Sequence, residues 1–201
     1  MITPRFLAVL AAGAFAFTAA QAADTPVRVR GTVASITGDK LVVHAREGGD
    51  VNVALGAGWQ ASAVAKASLA DIKPGAYVGI ASLPTSAGGT GALEVLVFPP
   101  AMKGMGEGNS DWDLKPGSSM TNGSVGDAVQ SVDGPVVTVN YHGQAKKITV
   151  PAGTPVVTLA GATPADVKPG ATVFVPGARG DDGVVHATHL VVGRDGVVPP
   201  M

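Results

Sequence analysis

The soft and borderline metal ligands of this 201-residue chain are four histidines and five methionines, and it has no cysteine. No thiolate is therefore available as nucleophile or ligand, so any bound metal would depend on imidazole, thioether and carboxylate. Met102 and Met105 lie close together in a glycine-rich stretch, 99–122. Their thioethers suit a soft ion such as Cu(I). His186 and His189 fall on an apolar run that reads as a strand. Period two sends residues three apart to opposite faces, so these two form a clamp only if a bulge intervenes. His44 and His142 sit near strand ends and read as solvated.

Stretch 99–122 also carries Trp112, Asp113 and Met120. Either Trp112 and the methionines form a recognition patch, or Trp112 and Met120 pack across a junction and fix two halves of the molecule. Methionine commonly fills irregular gaps, which favours packing. Acid–base catalysis could draw on Glu94, Asp111 and Asp113, but nothing in the chain positions a partner for any of them. No Gly-x-Ser-x-Gly segment supplies a constrained serine nucleophile. The glycine-rich segments 88–91 and 179–183 precede no helix and read as hairpin turns rather than phosphate cradles. No catalytic set emerges, so the reading is not an enzyme.

The elements that must position these residues are strands. Apolar residues alternate over short runs rich in β-branched side chains, with glycine or proline between them. The runs fall at 27–36, 41–45, 51–55, 77–83 and 93–98, then at 124–131, 136–141, 146–150, 172–175 and 185–192. Asp71-Ile72-Lys73-Pro74-Gly75 returns as Asp166-Val167-Lys168-Pro169-Gly170, 95 positions later. Ser68 and Thr163 each precede an aspartate by three residues, with Pro164 at a first helical position, which predicts a capped helical turn in each copy. Gly31-Thr32-Val33 and Gly123-Ser124-Val125 open the copies. The expected fold is all-β: two tandem five-stranded OB-like small barrels, each with a short helical turn between strands 3 and 4. Residues 23–98 form the first repeat, 99–122 a linker, 123–193 the second repeat and 194–201 a C-terminal tail.

Residues 1–22 read as a signal peptide: Arg5 is the positive charge, an apolar run of about a dozen residues follows, and Ala20-Gln21-Ala22 offers a cleavage site. The mature chain then starts at Ala23, soluble in the periplasm or secreted. No later run approaches the roughly 20 apolar residues of a membrane-spanning helix, so an integral membrane protein is not expected. Removing Arg5 takes the net charge from −1 to −2. With few lysines and aromatics, that balance also disfavours a nucleic-acid partner.

The chain resembles a family of exported bacterial proteins that carry a small β-barrel domain of unknown function. The resemblance rests on Gly31-Thr32-Val33, the two Asp-x-Lys-Pro-Gly segments, Trp112-Asp113-Leu114, Met120-Thr121-Asn122 and the segment from Val192 to Gly196 with the Pro199-Pro200-Met201 end. Automated naming often labels such proteins metal ABC transporter permeases. The resemblance thus implies a metal connection but no catalytic residue. The function expected is a non-catalytic periplasmic binding or interaction module that contacts an envelope protein or component and has no cofactor. The alternative is a periplasmic metal-handling accessory using Met102, Met105, His186 and His189 for a transition metal, and a third is an unrecognised hydrolase.

Overall fold

The computed structural model describes residues 25–86 and 88–199, so the expected signal peptide, 1–22, lies outside the described residues. The described chain is all-β. Its strands are β1 (Thr25–Thr37), β2 (Lys40–Ala45), β3 (Asp50–Lys66), β4 (Tyr77–Pro84), β5 (Thr90–Val97), β6 (Gly108–Trp112), β7 (Ser118–Val129), β8 (Val136–Tyr141), β9 (Gln144–Thr149), β10 (Val156–Gly161), β11 (Thr172–Arg179) and β12 (Val185–Gly193).

The strands pair across the two sequence copies. β1 joins β2 and β11, β2 joins β3, β11 joins β12, and β12 returns alongside β3 in parallel, closing a five-strand barrel. Three of its strands come from the first copy and two from the second. The remaining strands complete the exchange: β7, β8 and β9 of the second copy line up with β4 and β5 of the first. There β5 meets β9 at a single pair, Gly91 with Thr149, and continues parallel to β10. Each set of strands in space therefore draws on both halves of the chain, those before and after stretch 99–122.

The long strand β3 carries the chain from one set to the other. Its first part pairs with β2, and its last residues, Ser62 to Lys66, pair with β10. In that antiparallel ladder Val64 faces Leu159, itself 95 positions along the chain, so a local pseudo-twofold axis passes between them. Each crossing ends in a single 3-10 turn, Leu69–Asp71 and Pro164–Asp166. The Asp71 carboxylate accepts from the Ser68 amide at 2.8 Å and the Asp166 carboxylate from the Thr163 amide at 2.7 Å. Those bonds from the backbone, followed by the hydroxyl bonds, hold both carboxyls below the usual range.

The residue after each turn plugs a core. Val167 enters the core of the closed barrel with Val33, Leu41, Val43, Val175 and Leu190. Ile72 enters a second core with Val78, Ile80, Val125, Val139 and Ile148. Equivalent backbone bonds seat the segments: Gly170 N–H donates to Val33 O at 2.9 Å, and Gly75 N–H to Val125 O at 2.8 Å. Because Ile72 is buried while Leu69 in the same turn is 44% exposed, Ile72→Ala is expected to cost about 3 kcal/mol and Leu69→Ala less than about 0.5, read from urea unfolding midpoints. A third, smaller core of Val64, Leu96, Val157, Phe174 and Val191 lies where the two sets of strands meet.

Two strands were not expected. Stretch 99–122, read as a linker, contains a 3-10 turn at Pro100–Met102 and the strand β6, which pairs along β7 from Gly108–Asn122 to Trp112–Ser118. Its polar residues Asn109, Ser110 and Asp111 show no apolar alternation, because the strand lies at an edge. β10 is held by β3 on one side and β5 on the other.

Candidate functional site

Trp112 lies at the junction. The β6–β7 hairpin lays it against β1 and the third core, where it packs half-buried. The tight turn after it is fixed by Ser118, whose hydroxyl lies 2.9 Å from the Trp112 carbonyl and 2.7 Å from that of Lys115. The Arg28 guanidinium sits 4.0 Å from the centre of the indole ring, a cation–π distance. Arg30, next but one on β1, points the same way: it is buried, stands 5.1 Å from the Phe174 ring and donates to Asp113 at 2.7 Å.

Asp113 also faces Arg28 at 3.7 Å. Burial alone would raise its pKa, but the Arg30 hydrogen bond and the two guanidinium charges outweigh that and hold the carboxyl below its ordinary value. Met120 is buried near the start of β7, opposite Ala81 on β4 and Ser110 on β6. Trp112 and Asp113 thus tie the hairpin to β1, and Met120 fills the sheet that carries it. The Trp112 indole N–H is buried and has no hydrogen-bond partner among the described residues.

The histidines and methionines are placed separately. A bulge does interrupt the β12–β3 ladder between Ala187 and His189. Even so, the two rings find different partners: His186 faces Asp182 at 4.0 Å, and His189 lies 3.1 Å from the Ser62 hydroxyl. Burial lowers the His189 pKa. Met102 is half-buried and Met105 is 50% exposed, and the Met105 carbonyl accepts from the Tyr77 hydroxyl at 3.2 Å. Among the described residues no three histidine or carboxylate side chains are grouped to hold a metal ion.

Sequence reasoning passed over Arg30 and Arg46 and weighed Glu94 only as one of three surface acids. Glu94 on β5 is 2% exposed. It borders a cleft of about 460 Å³ that has Leu93, Leu114 and Val157 as apolar walls and Arg46 and Lys115 at its rim. Burial drives its pKa up to about 8, and the charges of Arg30 and Arg46 only partly offset that. Near neutral pH it is therefore mostly a neutral acid that can donate a hydrogen bond. A second cleft of about 330 Å³ adjoins the first, sharing Arg46, Val198 and Pro199 with it. The chain's own segment 197–199 thus lies along a groove that spans both. A single acid inside the near-continuous apolar run Ala92-Leu93-Glu94-Val95-Leu96-Val97 was the available signal for Glu94, since an acid in a strand buried on both faces must be neutralised.

Comparison with family models, with curated proteins and with solved structures finds no match to this chain.

Proposed function

We propose that the protein is a non-catalytic binding module of the periplasm, exported by its first 22 residues, that presents the junction groove to an extended segment of an envelope protein. The strand sets are read as two OB-like barrels that have exchanged their last two strands, which makes the junction a rigid frame rather than a hinge. The observation carrying this reading is the segment Val197 to Pro199, which lies between the two clefts and leaves Val198 62% exposed. A groove that takes a valine–proline segment of its own has the apolar walls for another. Its apolar walls would supply affinity, while the Glu94 carboxyl and the Arg46 and Lys115 charges would fix orientation.

The reading is tested by placing a photo-crosslinking amino acid at Val198 in the exported protein and irradiating cells. A discrete adduct from position 198, absent when the same group replaces Val132, is expected. Val132 is a fair control because it is fully exposed on a turn. No adduct from 198, or the same adduct from both positions, would end the reading.

A further inference from the structure

Another cleft lies elsewhere, beside the first Asp-x-Lys-Pro-Gly segment. It measures about 700 Å³, within the range that holds small organic ligands. One wall is the segment from Asp71 to Ala76, and another is the chain leaving β5 through Phe98, Pro99 and Pro100. Tyr77 and Phe98 form an aromatic pair with ring centres 5.4 Å apart. Around this apolar body stand Lys66, Lys73 and Lys103, all exposed.

Three ammonium groups border the cleft against one carboxylate, that of Asp71. Among the described residues none of them makes a hydrogen bond or an ion pair within 4.0 Å. The Ser68 amide and hydroxyl bonds keep the Asp71 carboxylate ionised, so it offsets one of the three cations and leaves two in excess. Lys73 acts on it only through its field.

The pseudo-symmetry of the fold provides a comparison within the same molecule. The equivalent cleft, about 440 Å³, lies beside Asp166 to Ala171. At the same 95-residue offset, Lys66, Tyr77, Phe98 and Pro100 correspond to Gly161, Thr172, Gly193 and Asp195, and no cation in the lining of the second cleft answers to Lys103. There Lys168 and Arg194 are matched by Asp166 and Asp195, and Arg194 faces Asp166 at 3.9 Å. One copy has kept a small, charge-balanced notch, whereas the other has gained two aromatic rings and two uncompensated cations. The repeat fold itself requires neither, since the other copy does without them.

The geometry points to the cleft at Lys66, Lys73 and Lys103 as a binding site for a small organic anion with a flat apolar body, the half-buried Phe98 ring, backed by the buried Tyr77 ring, taking the body and the lysines the charge. Lysines fit such a ligand as point charges, without the fixed two-pronged geometry that arginine imposes. This site is separate from the junction groove and does not depend on its role.

The probe is 8-anilinonaphthalene-1-sulfonate, titrated by fluorescence into residues 23–201. Saturable one-to-one binding is expected, weakening several-fold between low and high salt because the charges are exposed. The double change Lys66→Glu with Lys103→Glu is expected to weaken it at least about ten-fold at unchanged melting temperature, while Lys168→Glu in the equivalent notch leaves it unaltered. The neutral N-phenyl-1-naphthylamine, which lacks the sulfonate, is expected to bind at least about ten-fold more weakly than the anion. The absence of saturable binding, binding that survives the double change, equal loss with Lys168→Glu, or equal affinity for the neutral compound would each overturn the assignment.

Discussion

Replacing Glu94 with glutamine is expected to leave stability at pH 4 nearly unchanged and to raise it by about 3 kcal/mol at pH 9. The unfolded chain releases the Glu94 proton near 4.5, whereas the folded protein holds it until about pH 8. Below the lower value both states carry the proton and the group is neutral to folding. As pH rises through the interval, the unfolded state loses its proton first, so the folded state is progressively penalised. Above pH 8 the fold must bury a charge. The full shift would set a ceiling of about 5 kcal/mol, which water entering the adjoining cleft reduces. Glutamine keeps the shape and cannot ionise, and it removes the penalty. Urea unfolding of the two proteins from pH 4 to 9 measures the difference. Other titrating groups, among them His189 with its lowered pKa, contribute equally to both chains and cancel. Parallel curves would mean that Glu94 is not held neutral.

The second large effect is expected at Gly31. Gly31→Ala should cost at least about 3 kcal/mol, because the added Cβ would overlap the carbonyl oxygen of His44 and press on the Val43 side chain. Both belong to β2, which pairs with β1 at this point, and Gly31 is also paired with Val173 on β11. Neither neighbour can retreat without opening a ladder of the closed barrel. Gly123 repeats the arrangement in the other set of strands, where a Cβ would overlap the Asn140 carbonyl oxygen. In both places the Gly-x-Val triplet is followed by a bulge, between Val33 and Ser35 and between Val125 and Asp127. The glycine brings the paired strand close just before the strand bends. Gly161→Ala is the control: no atom lies within 4 Å of a Cβ built there, and its effect should stay within about 0.5 kcal/mol of zero. Denaturant midpoints of the two alanine variants against the parent decide the matter, and a Gly31→Ala protein as stable as Gly161→Ala would mean the β1–β2 contact is looser than described.

The all-β class, the repeat and most strand positions were legible from residues alone. An alternating pattern such as Val136-Val137-Thr138-Val139 records which side chains face a core, and buried Val137 and Val139 bear that out. The Asp-x-Lys-Pro-Gly segments could be found because identical local bonds demand identical residues. β6 could not, since an edge strand with polar faces leaves no apolar period. Nor could the state of Glu94, which depends on what covers it, or the meeting of Arg28 and Arg30 with Trp112 and Asp113 from a distant hairpin.

By itself the sequence determined that the chain forms strands, that it does so twice, and which face of each strand is buried. Only the tertiary structure decided which strands meet: the last two strands of each copy sit with the first three of the other, and Trp112 closes the junction between them. The reason is physical. Side-chain alternation specifies a face, but the backbone donors and acceptors of a strand are the same whichever neighbour they pair with. The choice between a copy's own strands and its sister's therefore rests on long-range packing, here on β3 running on past the closed barrel to meet β10.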